Sequence, residues 1–165
     1  QPELYTILEE LNIPFEYYEH PAAPTIEEAK KYWVDLVATH CKNIFFRNHK
    51  GNRHYLVILE HRQDLAIHDL EKRLKQGKLS FASPKRMMKY LGLTPGSVSP
   101  FGLINDTKNH VHVFLVEILK NSLSISFHPN INTDSMVVEF ADFYRFVEWT
   151  VNTHEDLELF YTYSL

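Results

Sequence analysis

The chain has 165 residues and a mass of 19.5 kDa, which fits a single domain over residues 1–165 with its own hydrophobic core and leaves little room for two. Hydrophobic residues make up 44% of it, and neither a signal peptide nor an apolar run of membrane-spanning length is present, so we expect a folded cytoplasmic protein with no membrane association. The net charge of −4 argues against a strongly basic nucleic-acid-binding protein, and the single cysteine, Cys41, excludes an internal disulfide and a cysteine-rich zinc site.

The first part of the chain is predicted to form two helices and a short strand. Leucine and isoleucine recur at helical spacing over residues 2–11, and alternation over residues 15–18 indicates a brief strand. Thr25 with Glu28 three residues later is a capping-box signature, which predicts a second helix that ends near Ala38.

A β-hairpin is predicted next. Its strands cover residues 41–48 and 53–60 and are joined by a polar turn that contains Gly51. The second strand is nearly all apolar, as is typical of a strand in the middle of a sheet.

Two further helices follow the hairpin. The first covers residues 68–76, and residues 79–81 form a connecting segment. Ser83 followed by Pro84 is a cap residue with proline at the first helical position, and this pair predicts a helix that runs to Gly92.

Residues 93–106, with the sequence LTPGSVSPFGLIND, are predicted to form a rigid loop. Pro95 and Pro100 bracket residues 96–99, so the segment can be neither regular helix nor an inner strand. The two prolines have fixed φ angles and the two glycines can adopt unusual ones. This combination suits a loop that holds its backbone N–H and C=O groups in a defined position. A tight connection between a helix and a strand is the alternative.

After this loop the sequence predicts more strands and a last helix. Residues 105–109 are interpreted as a hairpin turn, and the strands cover residues 111–118, 123–127 and 136–140. The final helix begins near Ala141, and the residues from Asn152 onward show no firm pattern. This order of elements predicts a mixed α/β (α+β) domain around one sheet.

Charge is unevenly divided along the chain. Residues 42–89 contain twelve Lys or Arg and four acidic residues, whereas the remainder contains five and seventeen. Such a division suggests one surface that attracts an anion such as a phosphate backbone. Alternatively, these charges are the solvated faces of helices.

The candidate chemical groups are few. Lys42 opens a strand, where it is either a fixed cation for a phosphate or oxyanion or a solvated charge. Cys41 could be a thiol nucleophile, but successive strand side chains point to opposite faces, so Cys41 and Lys42 are not expected to serve one site. The ten histidines form no H-E-x-x-H metal box, and no G-x-S-x-G signature of a serine hydrolase occurs.

Residues 127–133, FHPNINT, are a third irregular stretch rich in polar groups. Its imidazole and amides could orient a ribose or an amino group by hydrogen bonds, or the stretch could be a capped turn.

Together, five segments resemble the YbaK/ProX family of aminoacyl-tRNA deacylases, in particular its free-standing ProX-type members. They are EHPAAPT (19–25), CKNIFF (41–46), GNRHYLVIL (51–59), LSFASPKRMMKYLGLTPGSVSPFGLIND (79–106) and FHPNINT (127–133). The resemblance implies a mixed α/β fold with a central, largely antiparallel sheet, and hydrolysis of the ester between a wrong amino acid and its tRNA.

The resemblance also implies the site. Lys42 matches the family's essential lysine and is expected near the terminal adenosine. The substrate-binding residues that it implies, with their neighbours, are Gly96, Ser97, Val98, Ser99, Pro100, Phe101, Gly102, His128, Asn132, His20, Thr25 and Asn43. Cys41, Ile44, Phe46 and Asn130 depart from the family's pattern, which leaves the choice of amino acid open.

ProX-type members remove alanine from the tRNA for proline, so alanyl-tRNA for proline is the expected substrate. The expected partner is mischarged tRNA, through its 3' CCA end and acceptor stem. A prolyl-tRNA synthetase is a candidate partner, and a monomer without metal or cofactor is expected. Three alternatives stay open: a deacylase for another small amino acid such as cysteine, a tRNA- or synthetase-binding module without activity, and a thiol hydrolase that uses Cys41.

Overall fold

The computed structural model describes residues 2–19, 38–127, 134–158 and 162–163. Within these ranges the helices are α1 (Pro2–Glu10), α2 (Ile67–Leu74), α3 (Pro84–Leu91) and α4 (Phe140–Thr150), and 3-10 helices cover Pro100–Asn105 and Glu117–Asn121. The strands are β1 (Glu16–Glu19), β2 (Thr39–Arg47), β3 (His54–Glu60), β4 (Gln63–Asp64), β5 (Ser80–Phe81), β6 (His112–Val116), β7 (Ser124–Phe127), β8 (Asp134–Glu139), β9 (His154–Leu157) and β10 (Thr162–Tyr163).

One mixed sheet organises the fold. Its strand order is β1-β8-β7-β2-β3-β6-β9, with β5 added beside β2, while β4 and β10 form a separate pair. Pairing is antiparallel in β1–β8, β7–β8, β2–β3 and β2–β5, and parallel in β2–β7, β3–β6 and β6–β9. The predicted mixed α/β fold is confirmed, although the sheet is mixed rather than largely antiparallel.

The predicted hairpin is present as β2 and β3, which pair from Cys41–Glu60 to Arg47–His54. Its turn is held by the Asn48 side chain, whose Oδ1 accepts from the backbone N–H groups of Asn52 and Arg53, both at 3.0 Å. Gly51 has a φ of +72° in this turn, a conformation that residues with a Cβ rarely adopt. The local sequence therefore determines the hairpin.

Strand β3 separates two hydrophobic cores. All seven of its residues are buried, as expected of a central strand. Leu56 and Ile58 face one cluster, which includes apolar residues of α1, α3 and α4. Val57 and Leu59 face the other, against Leu70 of α2. Helices thus cover both faces of the sheet, and among the described helices none is long and apolar enough to cross a membrane.

Helix α3 leads into the loop at residues 93–106 as the sequence predicts. The Ser83 hydroxyl accepts from the Arg86 backbone N–H at 3.3 Å, and Gly92 ends the helix in the left-handed region. The second half of the loop differs from the prediction, because Pro100 begins a 3-10 helix. Ser99 caps it, accepting from the Phe101 N–H at 3.1 Å, and proline is tolerated at the first position because its missing N–H would have no helical partner.

In the C-terminal half one prediction is wrong, and one strand forms where none was predicted. Residues 105–109 do not form a hairpin turn, because β6 pairs in parallel with β3 and is reached by a crossover. Asp106 fixes this connection by accepting from the backbone N–H of Val111 and from the Asn152 side chain, both at 2.8 Å. Residues after Asn152, which show no pattern in sequence, form β9 beside β6.

Other predicted elements stand as follows. The final helix is confirmed as α4, with Phe143, Phe146, Val147 and Thr150 buried. The helix predicted after Thr25 lies outside the described residues, as does most of the stretch at 127–133.

Candidate active site at the open edge of strand β2

Strand β2 has an unusual pairing pattern. One of its edges pairs with β3, whereas the other pairs with β7 only at Thr39 and His40 and with β5 only at Phe46 and Arg47. Between these two pairings, in the part of the chain that the structure describes, no strand lies against this second edge at residues 41–45. We name residues 41–45 the open edge.

Backbone polar groups face this gap. The Phe45 carbonyl accepts from the Ala82 N–H at 2.9 Å at one end of the open edge. Because alternate residues of a strand direct their N–H and C=O groups to the same side, those of Cys41 and Asn43 point into the gap as well. A bound molecule can therefore meet backbone donors and acceptors there.

A cleft of about 520 Å³ lies along the open edge. Its volume is in the range of small-ligand sites in proteins. Lys42 and Gly96, which come from distant parts of the sequence, both line it. The other lining residues are Cys41, Asn43, Ile44, Phe45, His61, Phe81, Met87, Pro95 and Val98.

Lys42 is the cation of this cleft. Its Nζ lies 3.9 Å from the Asp64 Oδ1, and the two side chains are 34% and 58% exposed. Since side chains alternate along a strand, Lys42 lies on the same face as Phe46, which belongs to the core beside α2. The ammonium is therefore held near the cleft by a solvent-accessible ion pair that a stronger anion can displace.

The loop approaches the cleft from the opposite face of β2. The Asn43 Nδ2 donates to the Val98 carbonyl at 3.4 Å, which ties the loop to the strand. The Asn43 Oδ1 is buried and has no hydrogen-bond partner among the described residues. Gly96 has a φ of +87°, and a Cβ built on it would meet no described residue within 4 Å.

Cys41 lines the same cleft as Lys42, although strand alternation places their side chains on opposite faces of β2. The reason is the gap itself, since a cleft at a strand's edge can be reached from both faces. Burial, and next the Glu60 carboxylate, raise the pKa of the Cys41 thiol far above its ordinary value. The thiol is therefore protonated at neutral pH and is a poor nucleophile.

The remaining predicted loop residues are placed at different depths. Val98 lines the cleft, Ser97 is half-buried, and Ser99 and Pro100 are buried. The Phe101 side chain is 1% exposed and packs against Phe127 and Phe146 in the core, so it does not line the cleft.

Gly102 also belongs to the core side of the loop. A Cβ built on Gly102 would lie 2.7 Å from the Leu93 Cδ1, which shows how closely the chain packs there. Phe101 and Gly102 thus contribute by anchoring the loop. The predicted residues His20, Thr25, His128 and Asn132 lie outside the described residues.

Three lining residues were not singled out from the sequence: His61, Phe81 and Met87. The His61 Nδ1 lies 3.0 Å from the Glu60 Oε1, and the same imidazole also borders a neighbouring cavity of about 680 Å³. Phe81 and Met87 fall within the segment 79–106 that carries the resemblance, but nothing in that segment marks them for the site. The pairing of β5 with β2 and the position of α3 bring them to the cleft.

Part of the basic segment at residues 42–89 is structural. The Arg86 Nη1 donates to the Gly51 carbonyl at 2.9 Å, and the Arg73 Nη2 lies 2.8 Å from the Glu155 Oε2.

Residues 20–146 match the family model described as the aminoacyl-tRNA editing domain. The chain belongs to this family. The resemblance read from its sequence is thereby confirmed. Within the residues that the structure describes, Lys42 and Gly96, which the resemblance implied as site residues, line one cleft.

Curated members of the editing-domain family resemble the chain over most of its length. The prolyl-tRNA editing protein ProX of Acetoanaerobium sticklandii is 38% identical over 92% of this chain and 93% of its own. The prolyl-tRNA synthetase associated domain-containing protein 1 of Danio rerio is 33% identical over 92% of this chain and 83% of its own.

Solved structures share the editing-domain fold. A protein described as a proposed trans-editing enzyme for prolyl tRNA synthetase superposes with a TM-score of 0.68 at 21% identity, covering 97% of this chain and 99% of its own. The hypothetical protein APE2540 superposes with a TM-score of 0.71 at 14% identity, covering 93% and 97%. These two similarities show that the fold is shared and nothing more.

Proposed function

We propose that this protein is a hydrolase that deacylates mischarged tRNA in trans, and that its main substrate is alanyl-tRNA for proline. Family membership supports the editing activity, and the 38% identical ProX protein, named for prolyl-tRNA editing, supports the choice of tRNA. The observation that carries the proposal is that Lys42 and Gly96 line one cleft at the open edge.

Lys42 serves as the electrostatic anchor. Its ammonium can exchange the exposed Asp64 carboxylate for a tRNA phosphate or for the negative charge that develops on the ester carbonyl oxygen. A compact point charge on a flexible stem suits both positions, and it needs no covalent step.

The loop and the strand hold the amino acid. The buried Asn43 Oδ1 lacks a partner among the described residues and can accept a hydrogen bond from the substrate's α-ammonium group. Backbone groups of residues 96–98 and of the open edge surround the same space. A bound aminoacyl group would thus satisfy an acceptor that otherwise destabilises the fold by about 1–3 kcal/mol.

The reaction needs no protein nucleophile. A water oxygen bonds to the ester carbonyl carbon, the bond from that carbon to the ribose oxygen breaks, and the proton from water passes to the ribose oxygen. The vicinal ribose hydroxyl of the substrate can relay this proton. Positioning and charge stabilisation by the cleft then supply the acceleration, and the protonated Cys41 thiol takes no part.

Selection of alanine follows the logic of a second sieve. A synthetase site built for proline discriminates against the smaller alanine by only about 1–3 kcal/mol, because the difference is a few apolar carbons. An editing site that admits alanine and excludes proline by size restores the fidelity.

The test is a deacylation panel with purified protein and with alanyl-, prolyl-, cysteinyl- and seryl-tRNA. We expect the alanyl ester on the tRNA for proline to be cleaved fastest and the prolyl ester to be left intact. Preference for cysteinyl-tRNA would replace alanine by cysteine as the substrate. Binding of tRNA without cleavage of any ester would identify a binding module and refute the enzyme.

A further inference from the structure

Phe81 is an aromatic residue whose exposure the fold does not explain. Its side chain is 72% exposed, although it lines the same cleft as Lys42 and Gly96. Its ring packs on the buried ring of Phe46, with centroids 5.4 Å apart and an angle of 17° between the planes. One face of the ring is thus covered by the protein, while most of the side chain remains open to solvent.

The Phe81 ring is also held in place. Strand β5 pairs with β2 through Phe46–Phe81 and Arg47–Ser80, and the next residue, Ala82, donates its N–H to the Phe45 carbonyl. Backbone pairing on this side and ring packing beneath fix the orientation of the side chain. A flat, fixed and exposed aromatic face is the surface on which nucleobases stack in single-stranded nucleic-acid sites.

The positions of Phe81 and Lys42 indicate what kind of molecule binds in the cleft. Lys42 and Phe46 lie on one face of β2, four residues apart, which corresponds to about 13 Å along a strand. Phe81 lies opposite Phe46, so the aromatic face and the ammonium mark two ends of one cleft. The segment from residue 42 to residue 89, with twelve basic and four acidic residues, favours an anionic occupant over an apolar peptide.

We infer that Phe81 is a stacking platform for the terminal adenine of the tRNA, a role that rests on the proposed function. The ester to be cleaved is attached to the ribose of this adenosine. Stacking its base on Phe81 places the ribose and the ester toward Lys42 and the loop at Gly96. Phe81 is therefore a positioning residue that contributes binding in the ground state and in the transition state alike.

The test compares Phe81→Leu, Phe81→Trp and the control Trp149→Leu. Trp149 is 43% exposed and stacks on the buried Phe146 at 6.1 Å, but it does not line the cleft. Loss of one base–aromatic contact is expected to raise KM by about 5- to 150-fold in Phe81→Leu with little change in kcat. Phe81→Trp and Trp149→Leu should keep the KM of the unmodified protein, and thermal unfolding should show that all three variants are folded.

A second measurement separates stacking from a general effect on the cleft. Aminoacyl oligonucleotides that end in adenosine or in an abasic ribose are compared as substrates. The unmodified protein should prefer the adenosine substrate, and Phe81→Leu should lose this preference. Any of three results would overturn the inference: Phe81→Leu loses activity equally on both substrates, folded Phe81→Leu keeps an unchanged KM, or its activity falls only when a synthetase is added. Failure of the unmodified protein to cleave any ester would instead overturn the proposed function.

Discussion

Replacement of Lys42 by alanine is the sharpest test of the candidate site. The substitution removes the positive charge that lines the cleft beside the open edge, and it leaves the backbone of β2 and its pairing with β3 unchanged. If the ammonium stabilises developing charge on the ester oxygen, its loss is comparable to removal of an oxyanion-stabilising group. Such removals lower the rate by about 10²- to 10³-fold, or roughly 2.7–4 kcal/mol.

The same substitution should hardly change stability. The ion pair between Lys42 and Asp64 is 3.9 Å long and its two side chains are 34% and 58% exposed. Pairs of this kind contribute about 0–1 kcal/mol. Lys42→Ala and Asp64→Asn should therefore each lower the free energy of unfolding by less than about 1 kcal/mol, and the effect of Lys42→Ala on rate would then be chemical rather than a result of unfolding.

Single-turnover deacylation of alanyl-tRNA, with enzyme in excess, measures the rate directly. Lys120→Ala is the matched control, because Lys120 is also a partly exposed lysine paired with an aspartate, Asp156, and does not line the cleft. Lys120→Ala should deacylate at the normal rate. A Lys42→Ala variant that is folded and equally fast would refute the assignment of Lys42 and leave the cleft without its cation.

Three further substitutions probe other parts of the molecule. Cys41→Ala should keep the deacylation rate within about threefold of the unmodified protein, because burial and the Glu60 carboxylate raise the pKa of the thiol and keep it protonated. Near-complete inactivation of this variant would indicate a thiol nucleophile. Gly96→Ala forces a Cβ into the left-handed region at φ +87°, which costs about 1–2 kcal/mol and should lower deacylation at least about tenfold. Gly77→Ala, at φ +79° and away from the cleft, also brings its Cβ to 2.7 Å from the His49 Cβ, so it should cost at least as much stability and yet retain activity wherever it is folded. Burial, with positive neighbours, lowers the pKa of His54 from 6.5 to about 4. Between pH 6.5 and pH 4 the unfolded chain therefore binds a proton at His54 that the folded protein does not. The free energy of unfolding should accordingly fall by up to about 3 kcal/mol as the pH is lowered through this range. Urea unfolding across this range should show a smaller decline in His54→Gln; an equal decline would contradict the assignment.

Elements with local signals were predictable from the sequence. Helix α3 has its cap at Ser83, its proline at the first turn and its glycine at the end, and the hairpin has a polar turn with Gly51 between two apolar strands. In each case the contacts that decide the structure lie within a few residues along the chain. The sequence therefore contained enough information to place these elements.

Elements that depend on distant partners were not predictable in the same way. Strand β9 reads His-Glu-Asp-Leu, which has no strand pattern, and it forms because β6 offers a parallel edge. Residues 105–109 resemble a hairpin turn, yet the partner of β6 is β3, more than fifty residues upstream. Neither pairing leaves a sign in a short window of sequence.

The candidate site shows the same division. Lys42 and the loop at Gly96 were found through their family resemblance, since neither has a chemical signature that would exclude a solvated lysine or a simple turn. Phe81 and His61 were missed because they reach the cleft only through the pairing of β5 and the end of β3. Alternation along β2 places Cys41 and Lys42 on opposite faces, but it did not show that both residues line the cleft, because the rule separates two faces and says nothing about an edge.

The open edge explains why these residues converge. An unpaired strand edge normally invites another strand, which makes long exposed edges a hazard for aggregation. Among the described residues, the gap at residues 41–45 is bounded by β7 at one end and by β5 at the other, so it is far shorter than the edge of a whole strand. A small ester with one donor and one acceptor fits where a strand does not, and side chains from both faces of β2 reach it. If deacylation takes place in this cleft, extending the pairing of β5 along β2 should close the cleft and abolish deacylation while raising stability.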